Sequence, residues 1–306
     1  IEAPSRGWAS PMILGCFTAA VLLGTAFVKW ELRTPEPMLN LSFLRNPRFA
    51  MGSLAISLAS FSLFGAIFAM TQFLQDAHGY SALEAGAAMV PLAAGLVIGA
   101  VSSIKLVGRF GTTKIVMAGL FGVGTVLASA LTWTYDMSYW PLGLWFFFAA
   151  LSMGWVMGPS TASVMGSVPA EKAGVASAMN DVTRQLGGSL GTAIVGSLIS
   201  SLYGSRIADS VSSLPAATQL AAEDSIGKAH SIAATLPASE GASLAHAASG
   251  AYTDALGIGF AIAAVAAIAA GFAVRRWLPA RHVDEPVESA EVIALAVDVS
   301  AKAQAA

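Results

Sequence analysis

Seven stretches of this chain are each long and apolar enough to cross a lipid bilayer, and no other feature narrows the possible folds as much. A spanning helix needs about 20 mostly apolar residues, and residues 9–28, 49–73, 85–104, 115–131, 141–165, 174–203 and 253–274 qualify. The runs are unbroken instead of alternating, and an open sheet leaves its edge groups unsatisfied in hydrocarbon, so helices are required. Composition agrees, since 56% of the 306 residues are hydrophobic and 11% are charged, where soluble domains carry about 25% charged residues. The expected fold is all-α, an integral membrane helical bundle.

Charge removes several partners and sets an expected sidedness. With a net charge of −2 and no basic stripe interleaved with aromatics, nucleic acid is excluded as a partner. The single cysteine, Cys16, rules out an intramolecular disulfide and a cysteine-based zinc site. The chain opens Ile1-Glu2-Ala3-Pro4, without an initiator methionine or charged leader, so the first run is not a signal peptide and the natural N-terminus is expected further upstream. Alternating sides from an external N-terminus places Lys29, Arg33, Arg45, Arg48, Lys105, Arg109, Lys114, Lys172, Arg184, Arg275, Arg276, Arg281 and Lys302 on one side. Only Arg6, Arg206 and Lys228 fall opposite, thirteen against three. Basic residues in short loops concentrate in the cytoplasm, so a multi-pass plasma-membrane protein is expected, with its chain start extracytoplasmic and its C-terminus cytoplasmic.

Between the spans the sequence is polar or breaker-rich. Residues 29–37 form a charged, proline-containing loop, and Leu41-Ser42-Phe43-Leu44-Arg45 is amphipathic and suited to the membrane interface. Trp133, Tyr135, Tyr139 and Trp140 cluster at one short loop, as interfacial anchors do. Residues 204–252 read as an Ala/Ser-rich extracytoplasmic loop with a helix-compatible piece, 216–236, bracketed by Pro215 and Pro237. The acidic tail beyond Pro279 is expected to be mobile in the cytoplasm.

No catalytic constellation emerges: His78, His230, His246 and His282 fall in separate loops without acidic partners at ligand spacing, and no phosphate loop or serine elbow is present. The expectation is a protein that is not an enzyme, with no metal site and no cofactor. Gly95-xxx-Gly99, Gly154-xxx-Gly158 and Gly187-xxx-Gly191 are expected to pack helices closely. Pro91 and Pro159 are expected to kink their helices, as static bends or as hinges.

The short loop 105–114 is more telling, because a tight turn between spans needs glycine and its basic residues suit a helix C-terminus. It resembles the loop between the second and third helices of a major facilitator half-domain, usually Asp-Arg-x-Gly followed by basic residues. Here Gly108 replaces the acid, which weakens any charge-relay role and leaves Arg109, Gly111 and Lys114 as a candidate cytoplasmic gating loop. The run Gln72-Phe73-Leu74-Gln75-Asp76-Ala77-His78-Gly79-Tyr80-Ser81, with Val90-Pro91-Leu92-Ala93, resembles drug:proton antiporters of fourteen helices. Residues 174–191, through Asn180-Asp181-Val182-Thr183-Arg184-Gln185, are similar to that family's penultimate helix. Phe27-Val28-Lys29-Trp30-Glu31, Pro37 and Phe43-Leu44-Arg45-Asn46 are similar to its eighth helix and the junction after it.

The resemblance implies the C-terminal part of a secondary transporter, exporting amphipathic small molecules by alternating access with the proton gradient as energy source. It divides the chain into a linker helix and junction (1–48), a C-terminal six-helix bundle (49–278) and a tail (279–306). Its partners are then the lipid bilayer, the substrate and a missing N-terminal half. Two readings of Asn180, Asp181, Arg184 and Gln185 stay open: the inner mouth of the substrate path, or a solvated cytoplasmic extension with an Asp181–Arg184 pair. Gln72 and Gln75 are the second candidates for that path. A membrane-embedded assembly or binding subunit, and an inactive truncated fragment, are the competing functional readings.

Overall fold

The computed structural model describes residues 4, 7–35 and 37–278. The acidic tail lies outside the described residues, as do Arg6, Arg281, His282 and Lys302. Among the described residues every regular element is helical.

Helix α1 (Pro11–Glu31) begins behind Ser10, whose hydroxyl accepts from the Ile13 N–H, with proline at the first position, where a missing donor does no harm. Asn46 caps α2 (Pro47–Gln72) in the same way through the Arg48 N–H. Without a break α2 passes into a π-helical turn, Phe73–Ala77. Ser81 and Glu84 then form a capping box that starts α3 (Ala82–Ala88). The chain continues through α4 (Val90–Phe110), α5 (Thr112–Ser129), α6 (Tyr139–Met165) and α7 (Ala173–Val211). Two short helices, α8 (Ala216–Asp224) and α9 (Ile226–Ala233), precede α10 (Ala238–Trp277). Among the described residues seven segments are long and apolar enough to cross a membrane: α1, α2 with its π turn, α3 with α4, α5 with the 3₁₀ turn after it, α6, α7 with the 3₁₀ turn before it, and α10.

The structure departs from the sequence reading chiefly at helix ends. Helices α7 and α10 have 39 and 40 residues, so at about 1.5 Å per residue each reaches roughly 60 Å, twice a hydrocarbon core. Most of 204–252 is therefore helix, and His230 and His246 sit on α9 and α10 instead of in loops. Alanine explains the difference, having the highest helix propensity but too little hydropathy to announce a span. The piece 216–236 is broken at Ser225, which turns extended and caps α9 through the Lys228 N–H. Pro91 stands in the first turn of α4, just after an interruption at Met89, and α6 is continuous across the buried Pro159. Leu41–Arg45 is a 3₁₀ turn whose Leu41 and Phe43 pack against the bundle near Phe49.

Helices α2, α4, α5, α6, α7 and α10 form one bundle, with α2 lying along α7, α4 along α6 and α5 along α10. Glycines set the approach distances. A Cβ on Gly95 or Gly99 would stand 2.2 or 2.3 Å from the carbonyl oxygens of Phe147 and Leu151, so α4 and α6 meet backbone to backbone. The main core gathers at the end covered by α8 and α9, where Trp145 stacks on Phe260 and donates its indole N–H to the Val126 carbonyl at 2.7 Å. Helix α1 stands apart, burying only Glu31, whose carboxylate accepts the Leu39 N–H at 3.0 Å. Of the four clustered aromatics, Trp140 points outward, whereas Trp133 packs on Phe73 and Trp145, Tyr135 pairs with His246, and Tyr139 donates to the Ala88 carbonyl.

Candidate functional site

Helix α7 carries the polar residues that the sequence singles out, and the structure divides them between its two sides. One side is sealed. A Cβ on Gly187 would lie 2.2 Å from the Ser57 carbonyl oxygen, and one on Gly191 would lie 2.0 Å from that of Phe61, so only glycine permits this approach. Both contacts pair residues in ascending order, which makes α2 and α7 parallel neighbours in fixed register. Asn180, two turns before Gly187, is buried on this sealed side, and its Oδ1 has no hydrogen-bond partner among the described residues. The hydroxyls of Ser53 on α2 and Ser160 on α6 are likewise buried and unpartnered.

The other side of α7 is open. Arg184, Gln185, Ser189 and Thr192, with Phe64 from α2, line an open groove of about 410 Å³. Asp181 and Arg184 form an ion pair along the helix with side chains 50% and 43% exposed. At that exposure the pair adds little stability, and its effect is to hold the guanidinium at the basic end of the groove. Arg and Gln side chains can donate to a polar solute, while Phe64 offers an apolar wall, so the groove suits a molecule of mixed polarity. A second crevice lies deeper, among α2, α4, α5 and α6, lined by Leu63, Ala66, Leu92, Val123, Trp145 and Met153.

The structure thus joins Arg184 and Gln185 at the groove, buries Asn180 outside its lining, and puts Gln72 and Gln75 elsewhere. Gln72 accepts from the Tyr252 hydroxyl at 3.4 Å across the covered end of the bundle, and Gln75 belongs to the π turn. At the basic end the expected loop 105–114 shrinks to one residue. Gly111 adopts φ 86° and ψ 156°, a combination essentially reserved for glycine. Gly108 lies inside α4 facing open space, Arg109 is in the last turn of α4 with its guanidinium 5.3 Å from the Phe110 ring, and Lys114 is exposed in the first turn of α5. Thr113 donates to the Leu278 carbonyl at 3.1 Å and ties this turn to the end of α10.

One polar cluster escapes the sequence reading. At the covered end, the position of a Cβ on Gly227 of α9 lies 3.2 Å from an Asp76 carboxylate oxygen, and His230 Nε2 stands 3.1 Å from the Ser249 hydroxyl on α10. Burial lowers the pKa of His230, with the Asp76 carboxylate acting in the opposite sense, and burial also lowers that of His78. Nearby, Tyr203 donates to the Ala222 carbonyl and Tyr252 to that of Ala69, each at 3.0 Å. Among the described residues no group of three His, Cys, Asp or Glu side chains could hold a metal ion.

Six bundled membrane-length segments among the described residues, a seventh standing free, and a mixed-polarity groove on a glycine-locked helix pair define a polytopic helical membrane protein. The sequence matches the family model of the Major Facilitator Superfamily over residues 4–192, and the chain belongs to that superfamily. It is 32% identical over 281 residues to the tetracenomycin C resistance and export protein of Streptomyces glaucescens, covering 90% of this chain and 52% of that protein. The multidrug efflux pump LfrA of Mycolicibacterium smegmatis is 31% identical over 90% of this chain and 55% of its own length. The methylenomycin A resistance protein of Bacillus subtilis is 33% identical over 65% of this chain and 43% of its own. The chain spans about half the length of these curated relatives.

Proposed function

We propose that the chain is the C-terminal part of a secondary transporter that exports amphipathic small molecules across the cell membrane in exchange for protons. The observation that carries this reading is the groove on α2 and α7, where Arg184 and Gln185 meet Phe64. A second helix bundle facing that groove would complete the path, and rocking of one bundle against the other would expose it alternately to each side. The names of the relatives, all resistance, export or efflux proteins, support the cargo class. The thirteen-to-three distribution of basic residues puts the Lys105–Lys114 turn in the cytoplasm and the α8–α9 pair outside. Within this orientation Asp181 sits at the cytoplasmic end and pairs with Arg184, so the acid that couples substrate to protons is assigned to the facing bundle. The protein is then a carrier and not an enzyme, and it needs no cofactor beyond the proton gradient.

The test is dye export by cells and by everted membrane vesicles that contain the chain joined to an N-terminal six-helix half. Export should collapse with a protonophore, and Gln185→Leu should change which dyes are moved more than it changes protein level. Export insensitive to the protonophore, or proton-driven export by vesicles holding these 306 residues alone, would refute the proposal.

A further inference from the structure

The α8–α9 pair is fastened to the bundle by a cluster that holds an acid and a base. The π turn Phe73–Ala77 inserts an extra residue into the end of α2, and such turns re-aim side chains and recur at functional sites. Here Asp76 faces α9, with its Oδ1 3.2 Å from the Cβ position of Gly227. His230 follows Gly227 by three residues, so both lie on one face of α9. The half-buried His230 ring reaches Ser249 on α10 at 3.1 Å, and Ser249 is itself buried. The pair of helices is therefore held against two long helices of the bundle, by His230 on α10 and by Gly227 at the end of α2.

We propose that Asp76, His230 and Ser249 form a proton-binding site on the extracytoplasmic face, whose occupancy sets how firmly α8 and α9 close over the ends of α2, α7 and α10. The other ionisable groups around it are already engaged. From α7, Tyr203 donates to Ala222, and from α10, Tyr252 donates to Ala69. On the helix pair, Lys228 pairs with Asp224 at 2.5 Å and Glu223 accepts from Gln219. His246 is bound to Tyr135, Arg206 to Asp254, and Glu84 to Ser81. The exception is His78, whose ring lies edge-on to Phe73 and whose buried Nε2 has no hydrogen-bond partner among the described residues, but it belongs to the bundle side and not to the helix pair. That leaves His230 as the histidine of the helix pair whose charge changes in the physiological range while facing a carboxylate.

The sign follows from linkage. Burial lowers the His230 pKa in the closed arrangement, and the Asp76 carboxylate offsets only part of that. Closing therefore favours the neutral ring, and its stability is lost as pH falls through the ordinary histidine value toward the closed-state value. Each unit by which closing lowers the pKa multiplies opening tenfold at acid pH. Acidification outside should release the helix pair.

The orientation rests on the function proposed above, and the experiment separates the two. In a Cys16→Ser background, spin labels on exposed Ser231 of α9 and Ser205 of α7 report the closed and open distances in sealed vesicles between pH 8 and pH 5. A several-fold rise of the longer-distance population is expected when the medium around right-side-out vesicles is acidified. His230→Gln should abolish the response, His246→Gln should leave it intact, and Asp76→Asn should enlarge it, because the offsetting charge is gone. A response only in inverted vesicles would support the site and overturn the orientation. A full response in His230→Gln, a diminished one in Asp76→Asn, or none in either vesicle type would overturn the site.

Discussion

Gly191→Ala tests the claim that the α2–α7 seam is set by glycine. The added Cβ would stand 2.0 Å from the Phe61 carbonyl oxygen, whereas carbon–oxygen contacts between packed helices settle near 3.3–3.6 Å. The helices must therefore separate locally by about 1 Å or more, loosening the neighbouring contacts of Gly187 with Ser57 and of Gly65 with the Gly191 carbonyl. Inserting a methyl group into a tight core costs about 1–3 kcal/mol, against a gain near 1 kcal/mol from replacing glycine in a helix. Because the clash is with backbone, which cannot turn aside as a side chain can, the cost falls in the upper part of that range and a net loss of about 1–2 kcal/mol is expected. Gly187→Ala, 2.2 Å from the Ser57 carbonyl, should behave alike, and the double variant should fall short of the sum, since one separation relieves both clashes. Gly108→Ala is the control, facing open space in α4, and should be neutral or stabilising. Denaturant unfolding in micelles, followed by tryptophan fluorescence, gives all four values. A Gly191→Ala protein as stable as the wild type, or strictly additive losses, would refute the reasoning.

Three further outcomes follow from the same coordinates. Gly111→Ala should lose about 1–3 kcal/mol in the same unfolding assay, because alanine strains at the backbone angles of the α4–α5 turn. Trp145→Phe should lose about 1 kcal/mol by removing the 2.7 Å indole bond to the Val126 carbonyl, which keeps its second donor, the Ser129 hydroxyl. Arg184→Gln should change stability by less than about 1 kcal/mol, since its partner pair is half exposed, yet should lower export of cationic and neutral dyes to different extents.

The spans were legible because hydrophobic length is a local property, and each of the seven runs overlaps a membrane-length helical segment in the structure. The ends were not. Residues 238–252 are helical by virtue of alanine propensity and packing against α9, and residues 204–211 by packing against α8, neither of which raises hydropathy. Asp76 was passed over because it stood beside a loop in the sequence; its contact with α9 depends on a π turn and on a partner some 150 residues away, and neither leaves a local pattern.

The two sides of α7 were legible in principle, by reading the glycines as directions. Asn180 precedes Gly187 by seven residues, which at about 3.6 residues per turn returns to nearly the same face. Any helix that seats Gly187 and Gly191 on a neighbour's backbone must seat Asn180 there too, and the structure buries all three. Gln185 precedes Gly187 by two residues, more than half a turn, so the same contact drives it outward to the groove. Four consecutive-looking polar residues are therefore not one site: the close-packing glycines turn Gln185 toward the groove and Asn180 toward the seam, Arg184 reaches the groove from the seam edge through its long side chain, and Gln185, not Asn180, is where substitutions should alter selectivity. The buried, unpartnered Asn180 should instead affect how α2 and α7 hold together; Asn180→Ala that shifts dye preference while leaving unfolding unchanged would contradict this division.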